Sequence, residues 1–276
     1  MPEGPEVQTV LSTLENQIKE CRVKEVIVRY EKCVQPDVST FYSIVGQSFL
    51  GFSRIGKYLI FTTEEYNLVV HLRMEGKFYI LDSLPDAKEW KHIHVIFGLD
   101  DGRFLCYHDT RKFGRLSLYE KREDISTLPP LQNVGFDVLD DRVDGMYFYS
   151  HIHRSNRNLK SAILDQSIMA GVGNIYADEI CFSAGLDPRS RCTRISKKDC
   201  ENIIYHTKRI IRGAMKAGGT TIRSYTSSLG VTGLFQLKLK VHQREGEACL
   251  LCQRPIKKLV VSTRGTYICQ NCQKRK

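Results

Sequence analysis

The sequence predicts an α+β protein in which strands and helices are segregated along the chain. Three observations carry this. Short alternating apolar runs fill the region up to Glu120, helical periodicity takes over from His151, and four of the ten cysteines crowd the last stretch, from Cys249 to Cys272. At 276 residues the chain can hold two domains, or three if one is small. No apolar run approaches the roughly 18 residues of a membrane span, and the start lacks the basic and apolar regions of a secretory signal. The expected compartment is the cytoplasm, or else a nucleus or organelle, with no membrane partner.

The first element is a helix. Val7, Val10, Leu11, Leu14 and Ile18 recur at helical spacing, Pro5 suits a first turn, and Glu6 suits its positive end. Eight strand-like runs follow: VKEVIVRY, GQSFLGFSRI, KYLIFTT, NLVVHLR, KFYIL, HIHVIFGL, RFLCYHD and GRLSLYE. Turn signals such as Asp101–Gly102 separate them, which suits a β-sandwich or barrel. Pro129 and Pro130 break the pattern and mark a boundary. Beyond it NLKSAILDQ and IYADEICFSAGL read as helices joined through a glycine-rich SIMAGVGN. A third helix carries Ile203, Ile204, Thr207, Ile210 and Ile211 on one stripe. The stretch GGTTIRSYTSSLGVTG reads as a loop.

Charge points to a partner. Forty-one Lys and Arg against 31 Asp and Glu give a formal +10, which favours a polyanion, nucleic acid first. Six scattered cysteines read as reduced, small apolar residues. Cys249, Cys252, Cys269 and Cys272 form C-x2-C-x16-C-x2-C, two knuckles that complete a tetrahedral thiolate shell for one structural Zn2+. Arg264, between the knuckles, reads equally as a phosphate contact or a solvated turn charge. Asn174 in GVGN can cap the following helix, whose N-terminus can receive a phosphate.

The tip MPEGPEV raises a chemical possibility. Removal of Met1 would leave Pro2 as a free secondary amine, of which roughly a tenth is neutral at pH 7. Such an amine can attack an electrophilic sugar carbon and form an iminium that stays cationic, with Glu3 beside it as acid or stabiliser.

These residues together resemble the formamidopyrimidine-DNA glycosylase family. PEGPEV, SRIGKYLIF, HLRMEGK, DTRKFG, AILDQSIMAGVGNIYADE, AGLDP, GGTTIRSY and the four-cysteine tail occur in the family's order over nearly the whole chain. The resemblance implies two lobes. The first is an N-terminal β-sandwich with an N-terminal helix. The second is a helix–two-turns–helix domain plus a zinc-ribbon β-hairpin, with DNA in the cleft between them. The expected spans are a catalytic domain over 1–130, a linker over 131–150, the helical domain and lesion-capping loop over 151–240, and the zinc finger over 241–276. By motif, Pro2 would be the nucleophile, Glu3 its acid partner, and Lys57 a catalytic-site lysine contacting a phosphate beside the damaged nucleotide. Met74, Arg111 and Phe113 would fill the void left by an extruded base, since chemistry at C1′ requires taking the base out of the stack. His71 would contact the DNA backbone, and Lys160, Asn174 and Arg264 would contact phosphates.

The implied activity is removal of oxidised purines from damaged double-stranded DNA, followed by β,δ-elimination at the abasic site, by a monomer. Two alternatives stand beside it: the oxidised-pyrimidine specificity of the sister endonuclease VIII group, and a zinc-containing DNA-binding protein without chemistry. The chain departs from the family pattern at Gly4, where leucine is often seen, at Phe136, where Pro is common after the glycine, and at His242-Gln243, where Tyr-Gly is usual.

Overall fold

The computed structural model describes residues 1–121, 124–220 and 234–276. Of the expected lesion loop, 221–233 lie outside the described residues. The chain forms two compact units. Met1–Pro2 and Glu6–Leu131 belong to the first, whereas Glu3–Pro5 are counted with the second, which also holds Gln132–Gly219 and Leu234–Lys276.

The first unit begins with α1 (Gly4–Ile18), whose Val7, Val10, Leu11, Leu14 and Ile18 are all buried, as their spacing predicts. The strands are β1 (Val23–Val28), β2 (Val34–Gln35), β3 (Gly51–Ile55), β4 (Tyr58–Thr62), β5 (Tyr66–His71), β6 (Lys77–Leu81), β7 (Ile93–Leu99), β8 (Phe104–His108) and β9 (Arg115–Glu120), with a short helix α2 (Val38–Phe41) after β2. Each of the eight strand-like runs contributes one strand. The two-residue β2 has no periodicity to betray it.

These strands form two sheets, ordered β1-β7-β8-β6 and β2-β9-β5-β4-β3. Alternation settles the choice between sandwich and barrel. Leu59, Phe61, Leu68, Val70, Leu116 and Leu118 from one sheet share a single core with Val95, Phe97, Leu105, Tyr107 and Phe78 from the other, and α1 packs into it. The intervening Ile60 and Val69 face outward and are covered by Leu131. Burial of each such side chain contributes roughly 1.5–3 kcal/mol.

Of the 131–150 stretch expected as a linker, all but Leu131 is counted with the second unit. It contains β10 (Phe136–Asp137), which pairs in parallel with β11 (Met169–Ala170), and the start of α3 (Gly145–Ile152), capped by Asp144. Next come α4 (Leu159–Ile163), α5 (Asn174–Ser183) and α6 (Lys197–Lys216). A capping box between Ser196 and Asp199 opens α6, and Ile203, Ile204, Thr207 and Ile211 bury its apolar stripe. The tail folds into a hairpin of β12 (Lys257–Val261) and β13 (Arg264–Ile268). Its two-residue turn, Ser262-Thr263, has φ of 48° and 63°, as a type I′ turn requires.

Candidate nucleic-acid interface and zinc centre

In the first unit one end of the five-stranded sheet gathers the predicted residues. Across it the register runs Ile55↔Tyr58, Tyr58↔His71 and His71↔Arg115. The β3–β4 turn with Lys57, the β5–β6 turn with Met74 and the β8–β9 loop with Arg111 and Phe113 therefore open at the same end. The start of α1 is tied there too: Arg54 Nε donates to Gln8 Oε1 at 3.2 Å and Arg54 Nη1 to Gly56 O at 2.6 Å, beside Lys57.

The β8–β9 loop is organised by Asp109, which the sequence reading passed over. Its buried carboxylate accepts the backbone N–H groups of Arg111 at 2.9 Å, Phe113 at 2.9 Å and Gly114 at 2.8 Å. A Cβ on Gly114 would overlap Tyr107 Oη, and one on Gly76 would fall 2.7 Å from the same atom. Tyr107 is thus the post against which both loops close. Phe113 is left 52% exposed, with the Arg111 guanidinium 4.9 Å from its ring centre. An apolar ring at that exposure is not a core residue, and Met74 at its turn is only half-buried.

His71 is buried on the strand below them. Its Nδ1 accepts the Arg73 N–H at 2.9 Å, so a neutral ring carries its proton on Nε2. Burial, with Arg73 and then Lys57 nearby, pushes its pKa down to about 3. His71 can therefore donate a hydrogen bond but brings no charge at neutral pH. Lys57 is itself buried.

In the second unit the N-terminal tip meets the GVGN turn. Gly4 N–H donates to Gly171 O at 2.8 Å, while Glu3 Oε1 accepts the N–H of Ile175 at 2.9 Å and Oε2 that of Tyr176 at 3.4 Å. Ile175 and Tyr176 lie in the first turn of α5, where backbone donors have no partner within the helix. Asn174, expected as the cap, is instead the first helical residue. Gly173 holds the cap position with no side-chain bond, and Glu3 supplies what it lacks. Only glycine allows this, since a Cβ on residue 173 would overlap the Glu3 carboxyl carbon. The Gly4 departure fits the same turn: a Cβ there would sit 3.1 Å from Gly171 O, so a leucine needs a small shift.

The hairpin bearing Arg264 is bolted to α4 and α5. Asn174 Nδ2 donates to Gly265 O at 3.0 Å, and Asn158 Nδ2 donates to Ser262 Oγ at 2.7 Å. Lys160 does not meet the expectation of a direct phosphate contact. It is fully buried, and its Nζ donates to Asp178 Oδ1 at 2.6 Å, Thr266 Oγ1 at 2.7 Å and Gly265 O at 3.2 Å. Once buried, a lone ammonium must be paired, and Asp178 does this. The other carboxylate oxygen of Asp178 bonds His242 Nδ1 at 2.7 Å, which gives the departure at His242 a structural partner. Arg264 is exposed at the hairpin end.

The four cysteines meet as their spacing predicts. Their sulfurs all lie within 4.8 Å of one another, with Cys249 and Cys272 at 3.8 Å and Cys252 and Cys269 at 3.4 Å. Those separations are too long for disulfides. They match a tetrahedron with Zn–S bonds of about 2.3 Å, whose edges are about 3.8 Å. The set is closed by protein ligands, so it holds a structural zinc. Phe182 of α5 packs against the knuckles with Val241 and Ile256.

Comparison with known proteins agrees with this geometry. Three family models match: the formamidopyrimidine-DNA glycosylase N-terminal domain over residues 1–116, its H2TH domain over 134–226, and the zinc finger found in FPG and IleRS over 246–275. The chain is 39% identical to the formamidopyrimidine-DNA glycosylase of Oceanobacillus iheyensis, covering 100% of this chain and 99% of that one. It is 38% identical to that of Listeria monocytogenes, covering 99% and 100%. Among solved structures, the Lactococcus lactis Fpg in complex with abasic-site DNA aligns with a TM-score of 0.89 at 31% identity, over 99% of this chain and 100% of that one. The MutM (Fpg) protein of Thermus thermophilus aligns at 0.88 and 33%, over 100% of both. The chain belongs to the formamidopyrimidine-DNA glycosylase family.

Proposed function

We propose that this protein is a base excision repair glycosylase and abasic-site lyase acting on oxidised purines in duplex DNA, with Pro2 as its nucleophile. The observation that carries the proposal is the seating of Glu3 on the first turn of α5, with Gly4 bonded to Gly171 in the turn before it. It fixes the backbone one residue from Pro2. Solved relatives are complexes with abasic-site DNA and with Fapy-dG DNA, which supports the substrate class.

Removal of Met1 exposes the Pro2 amine. Its nitrogen attacks C1′ of the damaged nucleotide as the bond from C1′ to the base breaks, and the departing base takes up a proton. The sugar ring then opens between C1′ and O4′, which leaves an iminium between Pro2 and C1′. A secondary amine has no N–H to lose from that iminium, so it remains an electron sink. Loss of a proton from C2′ breaks the C3′–O3′ bond, and loss of one from C4′ breaks the C5′–O5′ bond. Water releases the enzyme from the remaining fragment. Two backbone N–H groups and the positive end of α5 favour negative charge on Glu3, which suits it to stabilise the cation developing beside it.

The extruded base leaves a gap. The exposed Phe113 and half-buried Met74 are apolar wedges at one end of the sheet, and Arg111 beside them can hydrogen-bond the partner base. Arg264 and Lys57 serve the phosphates, and neutral His71 adds a hydrogen bond. Lys160 and Asn174 act on the hairpin that presents Arg264. We place the protein on DNA as a monomer. Cleavage of duplexes carrying 8-oxoguanine opposite cytosine or thymine glycol tests the specificity. The 8-oxoguanine duplex is cut faster if the proposal holds, and a strong preference for thymine glycol overturns it.

A further inference from the structure

The outer face of α6 carries features that the repair chemistry does not use. Tyr205, Lys208, Arg209, Arg212, Gly213 and Lys216 line a groove of about 440 Å³. Lys208, Arg212 and Lys216 form a row at i, i+4 and i+8. Residues 205–216 contain no Asp or Glu to balance it. Like charges at this spacing destabilise a helix. Two of the cations are already oriented: Lys208 Nζ donates to Asp140 O at 2.8 Å, and the Arg209 guanidinium lies 5.8 Å from the Tyr205 ring centre. Among the described residues, the side chains of Arg212 and Lys216 make neither a hydrogen bond nor an ion pair.

The groove also has apolar parts. Tyr205 is 61% exposed. Gly213 leaves a notch above Phe235, since a Cβ there would lie 3.8 Å from the edge of that ring. From residue 205 to 216 the helix runs roughly 16 Å at about 1.5 Å per residue. An extended peptide covers that length in about five residues.

We propose that this face docks a short acidic peptide segment of a partner protein. Its carboxylates pair with Arg209, Arg212 and Lys216, and one aliphatic or aromatic side chain enters the notch at Gly213, with Tyr205 offering a second apolar surface. A phosphate backbone would use the cations but has no group for the notch. That difference favours a peptide over a nucleic acid.

The test uses full-length, zinc-loaded protein and fluorescence anisotropy. The probes are a labelled acidic octapeptide with a central phenylalanine, the same peptide with alanine in its place, and an undamaged DNA duplex. The double variant Arg212→Glu, Lys216→Glu lies on exposed positions. It is expected to weaken the phenylalanine peptide by about tenfold or more while leaving duplex affinity unchanged. Gly213→Leu, which fills the notch, is expected to reduce the phenylalanine peptide to the affinity of the alanine peptide. Absence of peptide binding by the parent protein, or equal binding by the double variant, overturns the proposal. So does an equal loss of duplex affinity in the double variant, which would make this face a nucleic-acid surface.

Discussion

Glu3 Oε1 accepts the backbone N–H of Ile175 at 2.9 Å, so a residue at the chain's tip caps a helix 172 positions away. Its second oxygen takes the next N–H, that of Tyr176. Glu3 is thereby held as part of the second unit. A helix cap contributes about 1 kcal/mol of stability. Its larger consequence here is positional, because the proposed nucleophile is the preceding residue.

Gly173 is the residue that permits this contact. Gly173→Ala would force its Cβ into the Glu3 carboxyl carbon and displace the tip. Strand cleavage is expected to slow by about 100-fold, the usual cost of misplacing a reacting group by about 1 Å. Circular dichroism and zinc content should match the parent. Single-turnover cleavage of an 8-oxoguanine duplex measures it, and a rate within twofold of the parent would show that the reaction does not need the contact of Glu3 with α5.

Lys160 and Arg264 are expected to fail in different ways. Arg264→Ala removes an exposed cation. It should reduce the slope of log K against log salt by about 0.9 for duplex binding, with little change in Tm. Lys160→Met leaves Asp178 without its ammonium partner and should destabilise the fold by about 3–5 kcal/mol. Salt titrations and thermal unfolding of both variants check this. A stable Lys160→Met variant would contradict the positioning role.

His71 links stability to pH. Its pKa is depressed to about 3 in the folded protein against about 6.5 when unfolded. Between those values the unfolded chain binds a proton that the native protein does not, so this contribution is complete above pH 6.5 and is lost as pH falls. The loss runs at up to about 1.4 kcal/mol per pH unit. Burial lowers the pKa values of His94, His108 and His206 in the same direction, so the informative quantity is the difference between the parent and His71→Asn. Urea unfolding from pH 7.5 to 4.5 should show the parent losing stability more steeply. Parallel curves would mean that His71 is protonated in the folded state.

The zinc supports the hairpin that carries Arg264. One zinc per chain is expected by elemental analysis. Chelation should lower duplex affinity and remove the Arg264 share of the salt slope. Metal-free protein binding DNA with the parent's slope would separate the zinc from the DNA surface.

The strands and the main helices were legible because each has its own period. The four cysteines were legible because metal chemistry fixes their spacing. Phe113 and Met74 could not be told from core residues by type, and only exposure separates them. Asp109 and Asp178 were passed over for a shared reason. Each acts on backbone or side-chain groups that the fold brings to it, and local pattern carries no record of such partners. Lys160 shows the same limit: a lysine among polar neighbours reads as surface charge, and only the fold reveals a buried carboxylate beside it.

The central claim is that the N-terminal proline is the reagent. Protein confirmed by mass spectrometry to lack Met1 should be mixed with an 8-oxoguanine duplex and reduced with borohydride, and the adduct mapped. The account predicts a covalent complex on Pro2, lost in Pro2→Gly. A complex mapped to a lysine, or cleavage of the duplex with no trapped complex, would contradict it.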